Sequence, residues 1–354
     1  MINRSVALHS FKSIQPRYQG KQSDLVDWIV DIHHRSMELA QIPERDRLKN
    51  ILKRFCVSEK QIEKRFFEIE RDVIYKLSEN KLSGTDIGTR HSFFGERCLE
   101  VIKEIYTDAE IPEHLIHVTC TGYLAPSAPQ IYFSNLEKAP EVTHAYHMGC
   151  YASLPAVRMA EAFAQARNQK VDIVHTEMCS LHLDPAQHSP EQMVVQSLFA
   201  DGHMKYSVDV KNSGRRLELV SVKERIIPDS VNDMTWVPSA SSMQMTLSKE
   251  VPDKIRGHLP TFLRELIQDP HHDVIFAIHP GGPKIIDLLQ SQLELSNEQV
   301  AFSRKVLKER GNMSSATLPH VWKEILDSDY TGKVVSLAFG PGLTIFGGLF
   351  EAQK

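Results

Sequence analysis

Three side chains suited to acyl chemistry stand at turns that lead into helix-forming sequence. Cys150 lies in HMGCYASLP, His279 in IFAIHPGGPK and Asn312 in ERGNMSSATLP. A thiol at a helix N-terminus is favoured as a thiolate, because unpaired N–H groups and the helix dipole stabilise negative charge there. An imidazole and a carboxamide can stabilise an enolate oxygen while the thiol carries an acyl group. The three residues are therefore a candidate set for acyl transfer through an enolate.

Each of these residues also has a purely structural explanation when it is taken alone. Free cysteine is often buried, so position alone supports two roles for Cys150 about equally, a core packing residue and a nucleophile. The small neighbours Gly149 and Ala152 leave room for a substrate and favour the nucleophile slightly. A strand-end histidine such as His279 is more often a satisfied core residue than a catalyst. Asn312 before Met-Ser-Ser-Ala is also a good helix N-cap.

The composition is that of a large globular protein. The 354 residues, 42% of them hydrophobic and 24% charged, support one large domain or two fused halves. A net charge of −4 argues against broad nucleic-acid binding. The five cysteines are scattered singly, so neither disulfides nor a zinc site is predicted. No apolar run suits a signal peptide or a membrane span, so we expect a soluble, cytoplasmic protein.

Alternating patterns in the first half predict β-α-β units. Amphipathic helices are predicted on both sides of Ile42-Pro43 and again over residues 90–105. Buried strands are predicted over residues 116–126 and 171–183, with a helix after Cys150 between them. This order favours a layered α/β fold.

The second half repeats the arrangement of strand, turn and helix. HMKYSVDV, RLELVSVKERII and SMQMTLS read as strands, and KIRGHLPTFLRELI reads as a helix. DVIFAI is a buried strand that ends at His279, and KVVSLAFGPGLTIFGGLFE contains two more apolar strands. We therefore expect two similar halves, residues 1–210 with the cysteine and residues 211–354 with the histidine and asparagine.

Five short motifs, in this order, resemble the type III polyketide synthases, the chalcone-synthase-like branch of the thiolase superfamily. They are GCYAS (149–153), SLFADG (197–202), AIHPGGP (277–283), GNMSSA (311–316) and FGPGLT (339–344). The resemblance runs from about Cys56 to the C-terminus. It implies a thiolase-like, layered αβαβα fold built from two similar halves.

The resemblance also implies a role for each of the three residues. Cys150 is the acyl-accepting nucleophile, while His279 and Asn312 bind the malonyl thioester carbonyl, promote decarboxylation and form the oxyanion site. One such donor is typically worth about 3 kcal/mol. No general base, metal or cofactor is expected, and dinucleotide and P-loop glycine patterns are absent. The implied partners are an acyl-CoA or acyl carrier protein starter, malonyl-CoA and a second copy of the chain in a homodimer.

Other positions match the family's gate, cavity and entrance. Phe199 matches the gate aromatic, and Met245 a second gate position where plant enzymes have phenylalanine. Trp236 replaces a glycine of plant chalcone synthases, which argues against a flavonoid-sized tetraketide. The remaining cavity positions are Cys120, Cys179, Leu181, His182 and Ser314. For His182, a bond to an intermediate and a bond to the backbone are equally plausible.

The starter and its carrier are predicted from the same comparison. Bacterial members that make alkylpyrones or alkylresorcinols look similar around Trp236, so we expect a fatty acyl starter and a pyrone- or resorcinol-type product. Arg54 matches an arginine that contacts coenzyme A phosphate, and Lys60 is a possible helper. A solvated basic face explains Lys60 equally well, and an acidic acyl carrier protein would suit both residues.

Three other functions were weighed against this one. A single-condensation ketoacyl synthase III-like enzyme shares a Cys-His-Asn set, but the FGPGLT ending and the Phe199 region favour the polyketide synthase. A catalytically silent thiolase-fold partner subunit is disfavoured by the intact Cys150, His279 and Asn312. A degradative thiolase would need a second cysteine as base, and none stands at a matching C-terminal position.

Overall fold

The computed structural model describes residues 5–210, 214–267 and 274–354. The elements of its first half are β1 (Ala7–Ile14), β2 (Tyr18–Lys21), α1 (Gln22–Leu39), α2 (Arg45–Lys53), β3 (Lys64–Phe67), α3 (Arg71–Ile74), α4 (Ile87–Tyr106), β4 (His114–Thr119), α5 (Ala128–Phe133), β5 (Glu141–Tyr146), α6 (Ser153–Arg167), β6 (Val171–Met178), α7 (Pro190–Leu198) and β7 (Asp201–Asp209). The expected boundary at 210/211 adjoins residues 211–213, which lie outside the described residues.

The second half contains six strands and four helices among the described residues. They are β8 (Arg216–Ile226), β9 (Met234–Pro238), β10 (Met243–Leu247), α8 (Val251–Leu266), β11 (Val274–Ile278), α9 (Pro283–Gln292), α10 (Ala301–Arg310), α11 (Thr317–Asp327), β12 (Gly332–Gly340) and β13 (Thr344–Gln353). The helices and strands expected here are present, and β9 and α10 are additions to them.

One continuous sheet runs through both halves, with strand order β11-β12-β13-β8-β1-β7-β6-β4-β5. In the first half β1, β7 and β6 are successively antiparallel, and β4 then runs parallel to β6. In the second half β8, β13 and β12 are successively antiparallel, and β11 runs parallel to β12. Four strands of each half therefore follow the same pattern of directions. The halves join through two residue pairs between β1 and β8.

Three hydrophobic clusters fill the spaces between five layers. The central cluster contains the buried faces of α6 and α11 together with strands from both halves. A second cluster lies under α8, α9 and α10, and a third lies under α1, α4 and α5. The predicted αβαβα architecture is confirmed.

The two central helices, α6 and α11, pack between the strands of the two halves for different reasons. Helix α6 presents Ala156, Ala160 and Ala164, whose small side chains are fully buried and allow close packing. Helix α11 instead buries Trp322, whose indole N–H donates to the Ser336 hydroxyl at 2.8 Å. Both helices begin at turns that lie deep in the molecule, and these turns carry the candidate site.

Candidate active site

Cys150 lies in a 3₁₀ turn, Gly149–Tyr151, between β5 and α6. Gly149 has a φ of +71°, and a Cβ on it would lie 3.0 Å from Cδ of Pro341, so glycine is required in this close contact. The Cys150 Sγ is 3.9 Å from the Ser314 hydroxyl. Burial raises the pKa of Cys150 to about 12, the Ser314 hydrogen bond opposes this rise, and the nearby Glu177 carboxylate adds to it. Helix α6 begins only at Ser153, so Cys150 lies before the first turn of that helix and not within it.

Asn312 precedes a second 3₁₀ turn, Ser314–Ala316, which leads into α11. Its Oδ1 accepts a hydrogen bond from the Ser314 N–H at 2.9 Å and a longer one, at 3.3 Å, from the Thr317 hydroxyl, which shares its proton with the Ser314 carbonyl at 2.9 Å. These two bonds orient the carboxamide, so that Nδ2 is the free donor. Nδ2 is buried and has no hydrogen-bond partner within the described part of the chain. The amide nevertheless lies near Cys150 and lowers the pKa of its thiol.

His279 follows the last residue of β11, as predicted, and is 1% exposed. Its backbone N–H donates to the Leu337 carbonyl at 2.7 Å, which extends the pairing of β11 with β12. Both ring nitrogens are buried, and no described residue bonds to either of them. Burial lowers the pKa of His279 to about 3, so the ring is neutral at ordinary pH. The structural alternative was a core histidine whose ring nitrogens are hydrogen-bonded. His279 does not fit that description among the residues that the structure describes.

Backbone contacts bring the turns that carry these residues together. The Asn312 N–H donates to the Leu198 carbonyl at 3.1 Å, and the Ala200 N–H donates to the Asn312 carbonyl at 2.8 Å. On the histidine side, a Cβ built on Gly282 would lie 3.7 Å from the Leu198 side chain. The end of α7 thus contacts both the asparagine turn and the glycine pair that follows His279.

Glu177, at the end of β6, is a buried acid that was not among the predicted site residues. Its carboxylate accepts hydrogen bonds from the Ser315 hydroxyl at 2.5 Å, the Thr121 hydroxyl at 2.8 Å and the Cys120 backbone N–H at 3.1 Å. Burial raises the pKa of Glu177, and these donors oppose the rise. The Cys120 Sγ lies 3.5 Å from Glu177 and 3.0 Å from the Ser314 hydroxyl. Cys120 and Ser314 therefore connect the acid to the Cys150 turn.

The two expected gate residues, Phe199 and Met245, both line one cleft. Phe199 is half-buried and its backbone pairs with Asn312, while Met245 lies on β10. Met245 is directly opposite Trp236 in the β9–β10 hairpin. The indole N–H of Trp236 donates to the Cys120 carbonyl at 2.7 Å, which fixes the ring against the Cys120 loop.

A cleft is bordered by Phe199, Met245, Trp236 and Cys179. Its other walls are mainly apolar and include Leu25, Trp28, Ile29, Phe66, Val195 and Met243. Cys150, His279 and Asn312 do not line it. Phe199 therefore borders this cleft while its backbone pairs with Asn312.

His182 and Leu181 have structural surroundings. The Nε2–H of His182 donates to the Thr121 carbonyl at 2.8 Å, and Nδ1 accepts the Met243 backbone N–H at 3.1 Å. This pairing fixes the neutral tautomer, so the backbone alternative describes His182. Leu181 is fully buried in the outer core, and its carbonyl accepts from Arg90 at 2.6 Å.

A buried arginine, Arg65, holds the gate segment in place. Its Nη1 donates to the Phe199 carbonyl at 2.6 Å and to the Gln196 carbonyl at 3.0 Å. A Cβ on Gly311, whose φ is +74°, would lie 2.9 Å from Cγ of this arginine. The guanidinium therefore holds the Phe199 backbone, while the aliphatic part of the same side chain packs against Gly311, the residue before Asn312.

Comparison with known protein families decides what kind of enzyme this site serves. The family model for the N-terminal domain of chalcone and stilbene synthases matches residues 22–209, and the model for the C-terminal domain matches residues 218–352. The chain belongs to the chalcone and stilbene synthase family. It is a type III polyketide synthase, an acyltransferase that performs decarboxylating condensation with acyl-CoA starters and malonyl-CoA. The match extends further toward the N-terminus than the expected start near Cys56.

Individual relatives of this synthase are distant in sequence. The chain is 24% identical to Type III polyketide synthase C of Arabidopsis thaliana, over 91% of the chain and 90% of the relative. It is 26% identical to Polyketide synthase 37 of Dictyostelium discoideum, over 99% of the chain but only 12% of that relative. The expected likeness to bacterial members stays a prediction.

Solved structures show the same fold. The C-terminal type III polyketide synthase domain of Steely1, a type I/III hybrid from Dictyostelium, superposes with a TM-score of 0.85 at 23% identity, over 98% of this chain and 99% of that one. PKS-I from the brown alga Ectocarpus siliculosus gives 0.80 at 21% identity, over 99% and 97%.

The expected entrance residues of the synthase are on the surface. Arg54 caps α2 and Lys60 follows it; both are exposed, and neither forms an ion pair with a described residue. Two other cations of this region, Lys49 and Lys53, are paired with Asp31 and Asp27. No described helix is long and apolar enough to cross a membrane, and the described residues contain no acidic, histidine or cysteine cluster able to hold a metal.

Sequence reasoning missed Glu177, Ser315 and Arg65. The sequence does carry a signal for the first of them, because Glu177 is an acid near the end of VDIVHTEM, a segment that otherwise reads as a buried strand. A buried acid is costly unless hydrogen bonds satisfy it, so such a position deserves inspection as a site. Ser315 and Arg65 carry no comparable signal, because their roles depend on contacts between distant segments.

Proposed function

We propose that Cys150 carries the growing acyl chain and that His279 and Asn312 hold the thioester oxygen of the malonyl extender. One observation supports this above all others: both ring nitrogens of His279 and the Nδ2 of Asn312 are buried, and none of the three has a hydrogen-bond partner among the residues that the structure describes. Buried polar groups in proteins are nearly always hydrogen-bonded, so unpartnered ones need an explanation such as a ligand. A thioester oxygen that becomes negative during the reaction would accept hydrogen bonds from both residues.

The proposed chemistry needs these donors at one stage in particular. Loss of carbon dioxide from the malonyl thioester leaves an enolate, whose oxygen is stabilised by an imidazole N–H and the amide N–H. The enolate carbon then attacks the thioester on Cys150, which releases the Cys150 thiolate and a chain longer by two carbons. Because His279 is neutral, stabilisation comes from preorganised dipoles in a site shielded from water.

Incubation with a panel of acyl-CoA thioesters and isotope-labelled malonyl-CoA tests the proposal. Mass spectrometry of the products should show two or more malonyl-derived units per starter, and intact-protein spectra should show the starter on Cys150. A product with a single added unit would point to a ketoacyl synthase III-like enzyme. Failure to trap any acyl group would point to a silent partner subunit. The family match favours the polyketide synthase over both.

We propose further that the apolar cleft beside Phe199 receives a long fatty acyl starter. Its mainly apolar walls suit an alkyl chain. The flexible side chain of Met245 occupies a position where a rigid aromatic side chain would narrow the cleft. Val195→Trp should fill the cleft and shift starter preference toward short chains. Val237→Trp makes the same substitution at a 50% exposed position on strand β9, outside the cleft, and serves as the control. Equal starter preference in both variants would remove the cleft from the proposal.

Trp236 supports a pyrone- or resorcinol-type product. Its indole is fixed to the Cys120 carbonyl and lies on the same face of the hairpin as Met245, its cross-strand partner. A fixed indole reduces the volume available for a long folded intermediate, so a tetraketide of flavonoid size is disfavoured. Cys120, Cys179 and Ser314 complete the proposed cavity wall.

Coenzyme A, or the acidic face of an acyl carrier protein, is proposed to bind near Arg54 and Lys60. The two cations are exposed and unpaired within the described chain, whereas neighbouring lysines are already neutralised. Arg54→Glu should raise the KM for the preferred donor, with little change in kcat. A matched change at Arg256, whose ion partner is Asp253 on α8, provides the control.

A homodimer is proposed from the free edge of the sheet. Strand β5 pairs with β4 on one side only, although its residues are partly buried. Exposed Leu124, Ile131 and Leu136 lie in the neighbouring loop and α5 region. An apolar patch beside a free strand edge is suited to a second copy. Light scattering should give twice the chain mass, and Ile131→Asp should lower it.

The division into residues 1–210 and 211–354 is also proposed, because the strands of the two parts follow the same pattern of directions. The expected cytoplasmic location stays a prediction.

A further inference from the structure

Arg71 places a guanidinium group at the wall of the apolar cleft. Arg71, Trp28 and Phe67 all line this cleft. The guanidinium carbon lies 5.2 Å from the centre of the Trp28 ring and 5.4 Å from the centre of the Phe67 ring. Both distances are those of a cation–π contact. Aromatic rings from two elements, α1 and β3, therefore hold this cation in position beside the cleft.

The N–H groups of the Arg71 side chain remain available to a ligand. Within the described chain this side chain forms neither a hydrogen bond nor an ion pair, and the neighbouring acids Glu70 and Asp72 are exposed without pairing to it. The other side chains of the cleft wall that carry N–H or O–H groups are bonded to the protein; they are Arg65, Tyr75, Ser180, His182, Gln192, Gln196 and Trp236. Arg71 therefore differs from them in offering all of its donors to a bound molecule.

The charged side chains that line the cleft are positive throughout the part of the chain that the structure describes. Arg65 and Arg71 line it, and no aspartate or glutamate does. Burial lowers the pKa of Arg65 to about 10, and the positive charge of Arg71 adds to this decrease, whereas Cys56 and Asp201 oppose it. The two guanidinium groups are therefore close enough to repel each other. A negatively charged group in the cleft would be attracted by both.

Arg71 lies near the protein surface, whereas Phe199 adjoins the buried site. The Phe67 ring that holds Arg71 stacks on the ring of Tyr18 with centres 5.8 Å apart, and Tyr18 is 41% exposed. Phe199 instead pairs through its backbone with Asn312. An acyl chain that is attached to Cys150 and passes Phe199 would therefore direct its far end toward Arg71.

We propose that Arg71 binds a carboxylate at the far end of the acyl chain that occupies the cleft. The inference rests on the proposed function, in which an acyl starter on Cys150 extends into this cleft. The class of starter is then a monothioester of a long-chain dicarboxylic acid. One of its carboxyl groups forms the thioester, and the other lies against the guanidinium.

The shape of the arginine side chain suits it to this role. A guanidinium binds both oxygens of a carboxylate through two parallel N–H···O bonds. The Trp28 and Phe67 rings restrict its orientation, so less conformational freedom is lost when a carboxylate binds. A chain that ends in a methyl group would bring hydrocarbon against the charged group and form none of these bonds. The two kinds of chain should therefore bind with different affinities although they contact the same apolar walls.

Binding measurements on Cys150→Ala, which has no thiol to acylate, test the proposal. Calorimetric titration compares dodecanedioyl-CoA, which has a free terminal carboxylate, with dodecanoyl-CoA of the same chain length, and shorter and longer pairs move the carboxylate along the cleft. At the best length the carboxylate should improve the affinity about tenfold, as expected for hydrogen bonds between charged groups. Adding Arg71→Met should remove this preference. Adding Arg71→Lys should keep only part of it, because lysine lacks the two parallel donors.

The matched control is Arg158→Met in the same background. The guanidinium carbon of Arg158 lies 5.0 Å from the centre of the Phe346 ring, and neither residue lines the cleft. This variant should leave the preference for the carboxylate unchanged. Because the preference is a ratio of two affinities measured on one protein, a general loss of stability in a variant does not alter it.

Three results would overturn the proposal. Equal affinities for the two thioesters at every chain length, with Arg71 intact, would show that no terminal carboxylate binds there. Equal weakening of both thioesters by Arg71→Met would assign the guanidinium to the phosphates of coenzyme A, which both ligands share. Tighter binding of dodecanoate than of dodecanol that depends on Arg71, with no difference between the thioesters, would assign it to a separate fatty acid.

Val195→Trp separates failure of this inference from failure of the proposed function. Filling the cleft should weaken the binding of both thioesters, whichever group ends the chain. If Val195→Trp weakens neither, the acyl chain does not enter the cleft and the proposed function of the cleft is wrong. If it weakens both while Arg71→Met leaves the preference for the carboxylate intact, the cleft keeps its proposed function and Arg71 is not the binding group.

Discussion

The two central helices begin in the same way but present opposite chemistry. Each follows a 3₁₀ turn and a glycine of positive φ, Gly149 before α6 and Gly311 before α11. The first turn presents a thiol that must lose a proton in order to react. The second follows a carboxamide whose oxygen is already bonded, so that its N–H is ready to donate.

This difference shows how one local geometry serves two purposes. The Asn312 side needs only orientation, which neutral hydrogen bonds supply without any change of charge. The proposed reaction requires Cys150 to become a charged thiolate, which burial opposes. The carboxylate of the buried Glu177 lies close enough to raise the pKa of this thiol further. Substitutions on the two sides should therefore affect different steps, and this expectation can be tested.

Replacing the thiol should have the largest effect. Cys150→Ala should abolish covalent acyl loading and lower turnover by a factor on the order of 10⁴ or more, as is usual when a nucleophile is removed. Intact-protein mass spectrometry after incubation with acyl-CoA measures the loading. Cys56→Ser changes a thiol outside the site and should load normally. Loading that persists on another residue of Cys150→Ala would contradict the assignment.

Removing a donor on the other side should spare loading but suppress decarboxylation. His279→Ala and Asn312→Ala should each lower carbon dioxide release from malonyl-CoA by about 10²- to 10³-fold, the usual effect of deleting one oxyanion donor. Thr317→Val removes one of two bonds that orient the amide and should cost about fivefold, from a bond worth about 1 kcal/mol. Starter loading by these variants is the control. Normal decarboxylation in Asn312→Ala would show that its free N–H has another purpose.

The paired glycines allow the two turns to be perturbed separately. Gly149→Ala should impair loading first, because the new Cβ meets the rigid Pro341 ring at 3.0 Å. Gly311→Ala should impair decarboxylation first, since its Cβ meets Arg65 and the Leu198 carbonyl at 3.1 Å. Each should lose about 1–2 kcal/mol of stability from strained φ alone. Thermal unfolding gives that cost, and single-turnover assays separate the steps.

A glycine elsewhere provides the control for this pair. Gly257 lies in α8, and a Cβ there would meet nothing within 4 Å. Gly257→Ala should therefore gain about 0.5–1 kcal/mol, because alanine favours the helix. Identical kinetic defects in Gly149→Ala and Gly311→Ala would show that the two turns do not act separately.

Trp236 substitutions should redirect products rather than stop the reaction. Trp236→Gly should enlarge the cavity and give longer or differently cyclised products. Trp236→Phe keeps most of the volume but loses the N–H bond to the Cys120 carbonyl, so its product shift should be smaller. Product profiles by liquid chromatography and mass spectrometry measure both. An unchanged profile in Trp236→Gly would exclude the indole from the cavity wall.

The smallest expected effect is that of pH on decarboxylation. Burial lowers the pKa of His279 from its ordinary value to about 3, so the ring stays neutral throughout the range from pH 8 to pH 5. Malonyl decarboxylation should therefore change less than about twofold over that range, provided that the fold is intact. A fall below pH 6.5 that follows one protonation would show a histidine of ordinary pKa.

Much of this site was predictable from short segments of sequence. Cys150, His279 and Asn312 were identified because each stands at a boundary between regular elements, and such boundaries leave signals in glycine and proline. Helices α1, α2, α4 and α8 were predicted from apolar periodicity, which depends on local sequence alone. The boundary signals and the family motifs agreed on the same three residues.

Other features depend on contacts that local patterns do not encode. Strand β1 lies between β7 and β8, about 200 residues away in sequence, and no property of ALHSFKSI specifies those neighbours. Strand β9, in MTWVP, is too short for a pattern of period two to be recognised. The hydrogen bonds of Glu177 come from three separate segments. The preference of His182 for backbone partners follows from the position of the β9–β10 hairpin, which sequence does not give.

The buried guanidinium of Arg65 has a consequence for how such enzymes diversify. It holds the backbone of Phe199, and that backbone is paired with Asn312. The proposed gate residue and the carboxamide are therefore fixed to the same backbone segment. If Phe199 is exchanged, the new side chain can therefore change the width of the proposed gate without moving this backbone. Substitution at position 199 should change the range of substrates while the Asn312 carboxamide keeps its position.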